Sequence, residues 1–434
     1  MKNLESCRNI GERMMKKLFF AFIILIIIVI NTSCLIQNQQ QDDDGIDNND
    51  NTIIDIENEE PEPSYEEKII SGMSLDEKVG QLVIIGFLED TSEETLKKII
   101  EKDKIGGFIL FRRNYTSFKE LYDLNSLLKK LNKDNPLPLL IAVDEEGGTV
   151  SRIPKEGVTM PDANVFGRIN DLILTERSGE IIGKQLYSAG INMNFAPVLD
   201  ILSRSDNALL KRRSYGKDKD IVSAHGVSFI KGLKAESVIA VPKHFPGHGN
   251  TNIDSHNGVP VIDIDKNTMI NREIVPFKYA IDKGADAMMI GHLVFPNIDD
   301  SGKPATRSEV FLKEILRKEL GFKGVSISDD IEMYAFSSGA ESIEDAVIES
   351  FNAGIDVFVV GHTKEIQERT LNALKNGIIN GQISEERLNE TLKRIIELKK
   401  KYNLSNNMNL DYEEAYKLFT DDKYRNFVET IKNR

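Results

Sequence analysis

The sequence predicts an α/β fold of alternating strands and helices closed into a (β/α)8 barrel, and three observations carry that expectation. Eight short apolar runs, flanked by Gly or turn residues, recur at 81–86, 107–110, 139–143, 191–195, 238–241, 287–290, 324–327 and 355–360. Helical-period stretches lie between most of them, for example at 95–102, 118–131, 175–189 and 221–235. Runs that are apolar on both faces read as buried parallel strands, and their alternation with helices reads as βαβ crossovers. Eight such units fit a TIM-like barrel better than an open doubly wound sheet, which usually has about five to seven strands.

The third observation is where the polar residues fall. Arg112-Arg113 follow the second run, Asp144-Glu145-Glu146 the third and Asp200 the fourth; Lys243-His244 end the fifth, His292 the sixth, Asp329-Asp330 the seventh and His362 the eighth. A barrel places its chemistry just beyond the C-terminal ends of its strands, so this register predicts one concave site lined by acids, bases and cations. A single charge there reads more simply as a solvated loop residue; clusters after seven of eight runs do not.

The ends of the chain read differently. Met15-Lys16-Lys17 precede a 13-residue apolar run, 18–30, and then Asn31-Thr32-Ser33-Cys34. A charged region, a short apolar region and small residues before a cysteine match a secretory signal over residues 1–33, with Met14 or Met15 as the expected true start. The run is shorter than the ~18–20 residues that span a bilayer comfortably. The context of Cys34 resembles the lipobox of bacterial lipoproteins, with Asn31 where Leu is usual, so the expected product is an exported, membrane-anchored lipoprotein lipidated on Cys34, with an uncleaved signal anchor or plain secretion as the alternatives. Twelve Asp or Glu and no Lys or Arg lie between Asp42 and Glu67, which accounts for most of the net charge of -14. Residues 34–64 therefore read as a disordered acidic stalk. The barrel is expected over 65–404 as a single catalytic domain, followed by a C-terminal helical extension at 405–434.

Composition also excludes several classes. Cys7 and Cys34 both precede the folded region, so neither a disulfide framework nor a cysteine zinc site is available to it. No basic patch interleaved with aromatics points to nucleic acid, and no Gly-rich phosphate loop opens a helix after any strand. No cofactor is expected.

Two features suit glycoside hydrolysis, which needs a proton for the leaving oxygen and a group across the ring to trap the cationic centre. Asp329, in Ser326-Ile327-Ser328-Asp329-Asp330, sits at the rigid mouth of the seventh run as a candidate nucleophile, and only one of Asp329 and Asp330 is expected to face a substrate. Asp254 and His256 lie in a Gly- and Asn-rich loop after the fifth. An Asp-x-His pair lets the carboxylate fix one ring nitrogen while the other moves a proton.

Lys243-His244-Phe245-Pro246-Gly247-His248-Gly249 followed by Asp254-Ser255-His256 resembles the signature of glycoside hydrolase family 3, in its β-N-acetylhexosaminidase branch. Val143-Asp144-Glu145-Glu146-Gly147-Gly148 with Arg152, Asn194-Phe195-Ala196-Pro197-Val198-Leu199-Asp200, Arg213-Ser214-Tyr215-Gly216 and Ser328-Asp329-Asp330 are similar to further family motifs, in family order from about Met73 to Tyr402. The resemblance implies Asp329 as a nucleophile forming a glycosyl-enzyme and His256, paired with Asp254, as acid/base. It also implies that Asp144, Arg152, Arg213, Lys243 and His244 bind the terminal sugar of a GlcNAc-ended glycan or muropeptide. Glu145 stands where many relatives have His, and Tyr215 where Phe is commoner. The β-glucosidase branch takes a glutamate from a following sandwich domain, which the sequence lacks.

Three other readings compete. His244, His248, Asp254 and His256 have the chemistry of zinc ligands, but they lack the helical spacing of a metal pair, and no metal is expected. A phosphorylase would use the same residues with phosphate replacing water, and a non-catalytic peptidoglycan-binding lipoprotein would need none of them. His248 reads as a hydrogen-bonding residue of the turn, and His225 and His362 as packing or surface residues.

Overall fold

The computed structural model describes residues 62–251 and 258–434. Eight parallel strands form its centre: β1 (Val83–Ile85), β2 (Gly107–Ile109), β3 (Leu140–Val143), β4 (Met193–Asn194), β5 (Ile239–Ala240), β6 (Ala287–Ile290), β7 (Val325–Asp330) and β8 (Val357–Val360). Each forms within one of the eight apolar runs, and β7 reaches three residues beyond its run. They are hydrogen-bonded in the order β5-β4-β3-β2-β1-β8-β7-β6, every neighbouring pair parallel. The remaining gap is bridged beyond the end of β5, where Phe245 pairs with Ile290. There the Phe245 N–H donates to Met289 O at 2.9 Å, and Gly291 N–H donates to Phe245 O at 2.9 Å. The result is the expected (β/α)8 TIM-like barrel, with β5 and β6 joined by this short bridge.

The strands are short because their flanking residues turn away to build the site. All residues of β1, β2, β3, β6 and β8 are buried. Their side chains therefore pack either inside the barrel or against the helices, as parallel strands covered on both faces must. The helix pair Leu172–Ser188 and Lys219–Ala235 shows how the outer layer is set. Asp171 and Asp218 cap the two N-termini, each accepting two backbone N–H groups. Gly179 and Gly232 let the backbones touch: a Cβ on Gly232 would lie 2.2 Å from Glu176 O.

Helices Glu385–Lys401, Tyr412–Phe419 and Asp422–Lys432 follow β8 and its helix. The short ones are amphipathic, and their buried faces explain why they dock rather than dangle. Phe419 is fully buried against Phe118, with ring centroids 4.4 Å apart, and Tyr122 donates its hydroxyl to Leu410 O at 2.8 Å. Among the described residues no helix is long and apolar enough to cross a membrane. The signal, the stalk and Cys34 fall outside the described residues, as do Asp254 and His256.

Candidate active site

A pocket of about 350 Å³ opens at the C-terminal ends of the strands, bordered by Asp144, Glu146, Arg152, Arg213, Lys243, His244 and Asp329 among others. Buried Phe195 and Met289 line its inner wall. The continuation of β3 supplies Asp144 and Glu146: two residues apart on extended chain, both point into the pocket, while Glu145 between them points away. Lys243 is placed by the neighbouring strand extension, where it bridges to Val198 and its N–H donates to Pro197 O at 3.0 Å.

These groups form one buried charge cluster. Lys243 Nζ lies 2.7 Å from Asp144 Oδ1 and 2.7 Å from Glu146 Oε1. Arg213 meets Glu146 through two parallel N–H···O bonds of 2.7 Å each, the two-pronged geometry that suits a guanidinium and a carboxylate. Burial alone raises the Glu146 pKa, but Lys243 and Arg213 together hold it far below the ordinary range. Glu146 is therefore the shared anion that fixes both cations. Asp144, by contrast, receives only Lys243, and its Oδ2 accepts no hydrogen bond among the described residues.

Asp329 faces the same space. Its Oδ1 accepts the Asp330 N–H at 2.8 Å, and its Oδ2 carries no hydrogen bond among the described residues. Burial raises its pKa, yet His244, His292, the Asp330 N–H and Lys243 outweigh that and leave the carboxyl below its usual value. A carboxylate held anionic, with one oxygen uncommitted, is the chemical form a nucleophile needs.

His244 is oriented from behind by Asp200. The ring Nδ1 lies 2.7 Å from Asp200 Oδ2, and the His248 N–H donates to Asp200 Oδ1 at 2.7 Å. Asp200 is fully buried; burial raises its pKa, but His244 above all brings it below the ordinary value. His292 is buried below the site, with Nε2 3.0 Å from Asp330 O and Nδ1 2.9 Å from Thr306 Oγ1. The carbonyl can only accept, so Nε2 carries the proton and Nδ1 accepts from the threonine.

Asp330 borders the pocket as well, but its carboxylate is engaged elsewhere. It accepts Glu332 N–H at 3.1 Å and Gly361 N–H at 3.3 Å, and His362 Nε2 lies 3.4 Å away. Burial pushes this carboxyl up to about 7. The approach to the last loop is close: a Cβ on Gly361 would lie 2.4 Å from Asp330 Oδ2. Asp330, Glu332 and His362 offer ligand atoms within 4.8 Å of one another. Arg113 Nη1, 3.0 Å from His362 Nδ1, already places a cation there, and both carboxylates serve backbone N–H groups. The group works as a latch between the loops after β2, β7 and β8.

Set beside the sequence reading, the structure brings Asp144, Arg152, Arg213, Lys243, His244 and Asp329 into one pocket. It also places three further residues. His362, read as a packing or surface residue, is exposed, packs on the Phe111 ring and borders the pocket, because the loop after β8 folds back onto β7. Both Asp329 and Asp330 border the pocket; the two N–H groups that Asp330 accepts reach its Oδ1, and His362 Nε2 lies 3.4 Å from its Oδ2. His248 forms its hydrogen bond through the main chain, and its ring Nδ1 is buried without a partner among the described residues. His225 is a packing residue as read, with Nδ1 2.7 Å from Thr175 Oγ1. Glu146 and Asp200 were missed as the anchors of Arg213, Lys243 and His244. The two-residue spacing of Asp144 and Glu146 on a strand extension was the available signal for the first.

The family model described as the glycosyl hydrolase family 3 N terminal domain matches residues 74–398. A beta-hexosaminidase A of Pseudoalteromonas piscicida is 32% identical over 330 residues, covering 70% of this chain and 55% of that protein, so the chain spans little more than half of it. A beta-hexosaminidase of Nitrosospira multiformis is 34% identical over 281 residues, 63% of this chain and 78% of the relative. Among solved structures, a glycoside hydrolase family 3 beta-N-acetylglucosaminidase from a Paenibacillus species superposes with a TM-score of 0.78 at 34% identity, covering 83% of this chain and 68% of that one.

Proposed function

The chain belongs to glycosyl hydrolase family 3, and from that premise we propose that it is a retaining, exo-acting β-N-acetylhexosaminidase that releases terminal N-acetylglucosamine from peptidoglycan fragments. The observation that carries the reading is Asp329, a carboxylate held anionic beside Lys243, His244 and His292, with one oxygen that carries no hydrogen bond among the described residues. Asp144 offers an unfilled acceptor for sugar hydroxyls, and Lys243 and Arg213 are fixed beforehand by Glu146, so little ordering is left for the moment of reaction.

In the proposed reaction Asp329 Oδ2 forms a bond to the anomeric carbon as the bond to the leaving oxygen breaks. That oxygen takes a proton from His256, which Asp254 holds in orientation. Water, giving its proton back to His256, then forms the second bond to the anomeric carbon, and the electron pair of the glycosyl ester returns to Asp329. Asp254 and His256 have these roles from the family motif. Lipidation of Cys34 is part of the same proposal and would hold the enzyme at the cell envelope; lipid labelling of Cys34 tests it, and an unlabelled chain speaks against it.

The activity is tested with p-nitrophenyl N-acetyl-β-glucosaminide against the corresponding glucoside, with and without phosphate. Turnover of the first, with free N-acetylglucosamine as product, is expected. No turnover would sink the assignment, and N-acetylglucosamine 1-phosphate as the main product would make the enzyme a phosphorylase.

A further inference from the structure

Arg152 reaches the pocket by a different route from the other two cations. Lys243 and Arg213 are held at the tips of their side chains, by carboxylates at 2.7 Å. The Arg152 guanidinium has no such hold. Its only hydrogen bond among the described residues runs from Nη1 to the carbonyl of its own neighbour, Ser151, at 3.4 Å. Where it points is therefore set by its backbone, and residues 151–154 belong to no helix or strand that would fix one.

Side chains take the place of a ladder there. Arg112 Nε donates to Ser151 O at 2.8 Å and its Nη2 to Ile153 O at 3.4 Å, and the Tyr115 hydroxyl donates to Arg152 O at 2.9 Å. Glu145 Oε2 accepts the N–H groups of the same stretch, that of Arg152 and, at 3.3 Å, that of Ile153. Backbone groups away from secondary structure need such partners when water is excluded, and the Glu145 and Tyr115 side chains are buried. Glu145 is itself fixed to the barrel. Its N–H donates to Asn194 Oδ1 and its carbonyl accepts from Asn194 Nδ2, both at 2.9 Å, and Asn194 ends β4. The Glu145 carboxylate thus passes the position of a strand on to Arg152.

We propose that Glu145 is the positioning residue for Arg152, its buried carboxylate holding the Arg152 peptide so that the guanidinium meets the terminal sugar. Tyr115 holds the other side of the same residue. The inference rests on the glycosidase reading above, in which Arg152 binds that sugar. A carboxylate accepts an N–H group more strongly than a neutral carboxyl does. Burial pushes the Glu145 carboxyl up to about 7, against the pull of the Arg152 N–H, the Ser151 hydroxyl, the Arg152 charge and the Ile153 N–H. The charged or titratable groups that face it are Arg152 from its own loop and Tyr115, with Arg112 beyond, from the loop after β2; Asn194 of β4 is neutral. The hold on Arg152 is therefore tight above this pH and loosens as Glu145 takes up a proton below it.

The test is a double-mutant cycle read in the KM of p-nitrophenyl N-acetyl-β-glucosaminide. At about pH 8.5 Glu145→Gln, which keeps an acceptor oxygen without the charge, should raise KM roughly fivefold with kcat little altered. The KM ratio of variant to wild type should fall toward one at about pH 5.5, where the wild type has itself lost the charge. Asp330, pushed up to about 7, titrates in both proteins and cancels from that ratio. In an Arg152→Ala background, Glu145→Gln should leave KM where Arg152→Ala alone puts it. Tyr115→Phe is the second variant should the first fail to fold, and its rise in KM should likewise vanish without the Arg152 side chain. An unaltered KM in Glu145→Gln, a ratio that ignores pH, or an equal rise with and without the Arg152 side chain would overturn the inference. Failure of the glycosidase reading is separate, since it would show as no turnover by the wild type.

Discussion

The two ends of the barrel both bury charge, and they do so for opposite purposes. At the N-terminal end Asp356, just before β8, is fully buried. Its two oxygens accept from Arg317, Arg387, Arg394, Thr391, Ser326 Oγ and the Ser326 N–H at 2.7–3.2 Å. Lys399, also buried at that end, gives its Nζ hydrogens to Gln81 Oε1, Gly106 O and Pro138 O. No bonding capacity is left over. At the C-terminal end Asp144 and Asp329 each keep one oxygen without a hydrogen bond among the described residues. Charge saturated by the protein holds the barrel to its helices; charge left unsaturated is there for a ligand.

The largest break in this contrast comes from the top. Asp329→Ala should lower kcat by about four orders of magnitude or more, while the urea midpoint stays within what a loss of about 1 kcal/mol would give. Asp356→Ala should do the reverse. It leaves three arginines buried without their anion and is expected to cost about 3–5 kcal/mol in urea unfolding, with KM of the folded enzyme unchanged. If Asp356→Ala altered KM as strongly as it altered stability, the division between the two ends would fail.

Glu146→Gln sharpens the picture, because Glu146 is a saturated residue inside the unsaturated end. It should reduce kcat/KM by about 10–100-fold through Lys243 and Arg213, which lose their shared anion. Steady-state kinetics on p-nitrophenyl N-acetyl-β-glucosaminide would show this, and a rate unaltered by the substitution would mean that the two cations do not depend on Glu146.

The most gradual effect concerns Asp330. Its folded pKa, about 7, lies above the ordinary unfolded value of about 3.9. The folded state therefore binds more protons across that interval, and the stabilisation present below about pH 4 is lost as pH rises through 7. Urea unfolding of the wild type at stepped pH should show a contribution of up to about 1 kcal/mol per pH unit in this window, absent in Asp330→Asn.

The fold was legible in the sequence because buried parallel strands are written locally, as runs apolar on both faces such as Leu140–Val143 and Val357–Val360. The position of Asp329 followed from the same register. What the local pattern could not supply was pairing at a distance. Glu146 meets Arg213 across 67 residues, Asp200 meets His244 across 44, and Arg113 meets His362 across 249. Such contacts depend on barrel closure, which brings together loops that no spacing rule connects. The arginines around Asp356 show the same limit, since by spacing alone they look like ordinary solvated charges on helices 310–319 and 385–401.

The central claim, that Asp329 is the uncommitted carboxylate of this pocket and forms the bond to sugar, is open to one direct measurement. Incubation with 5-fluoro-N-acetylglucosaminyl fluoride, followed by peptide mass mapping, should place a single sugar adduct on Asp329. Rapid turnover of wild type with the adduct on another residue, or with no adduct and an inverted product anomer, would contradict it.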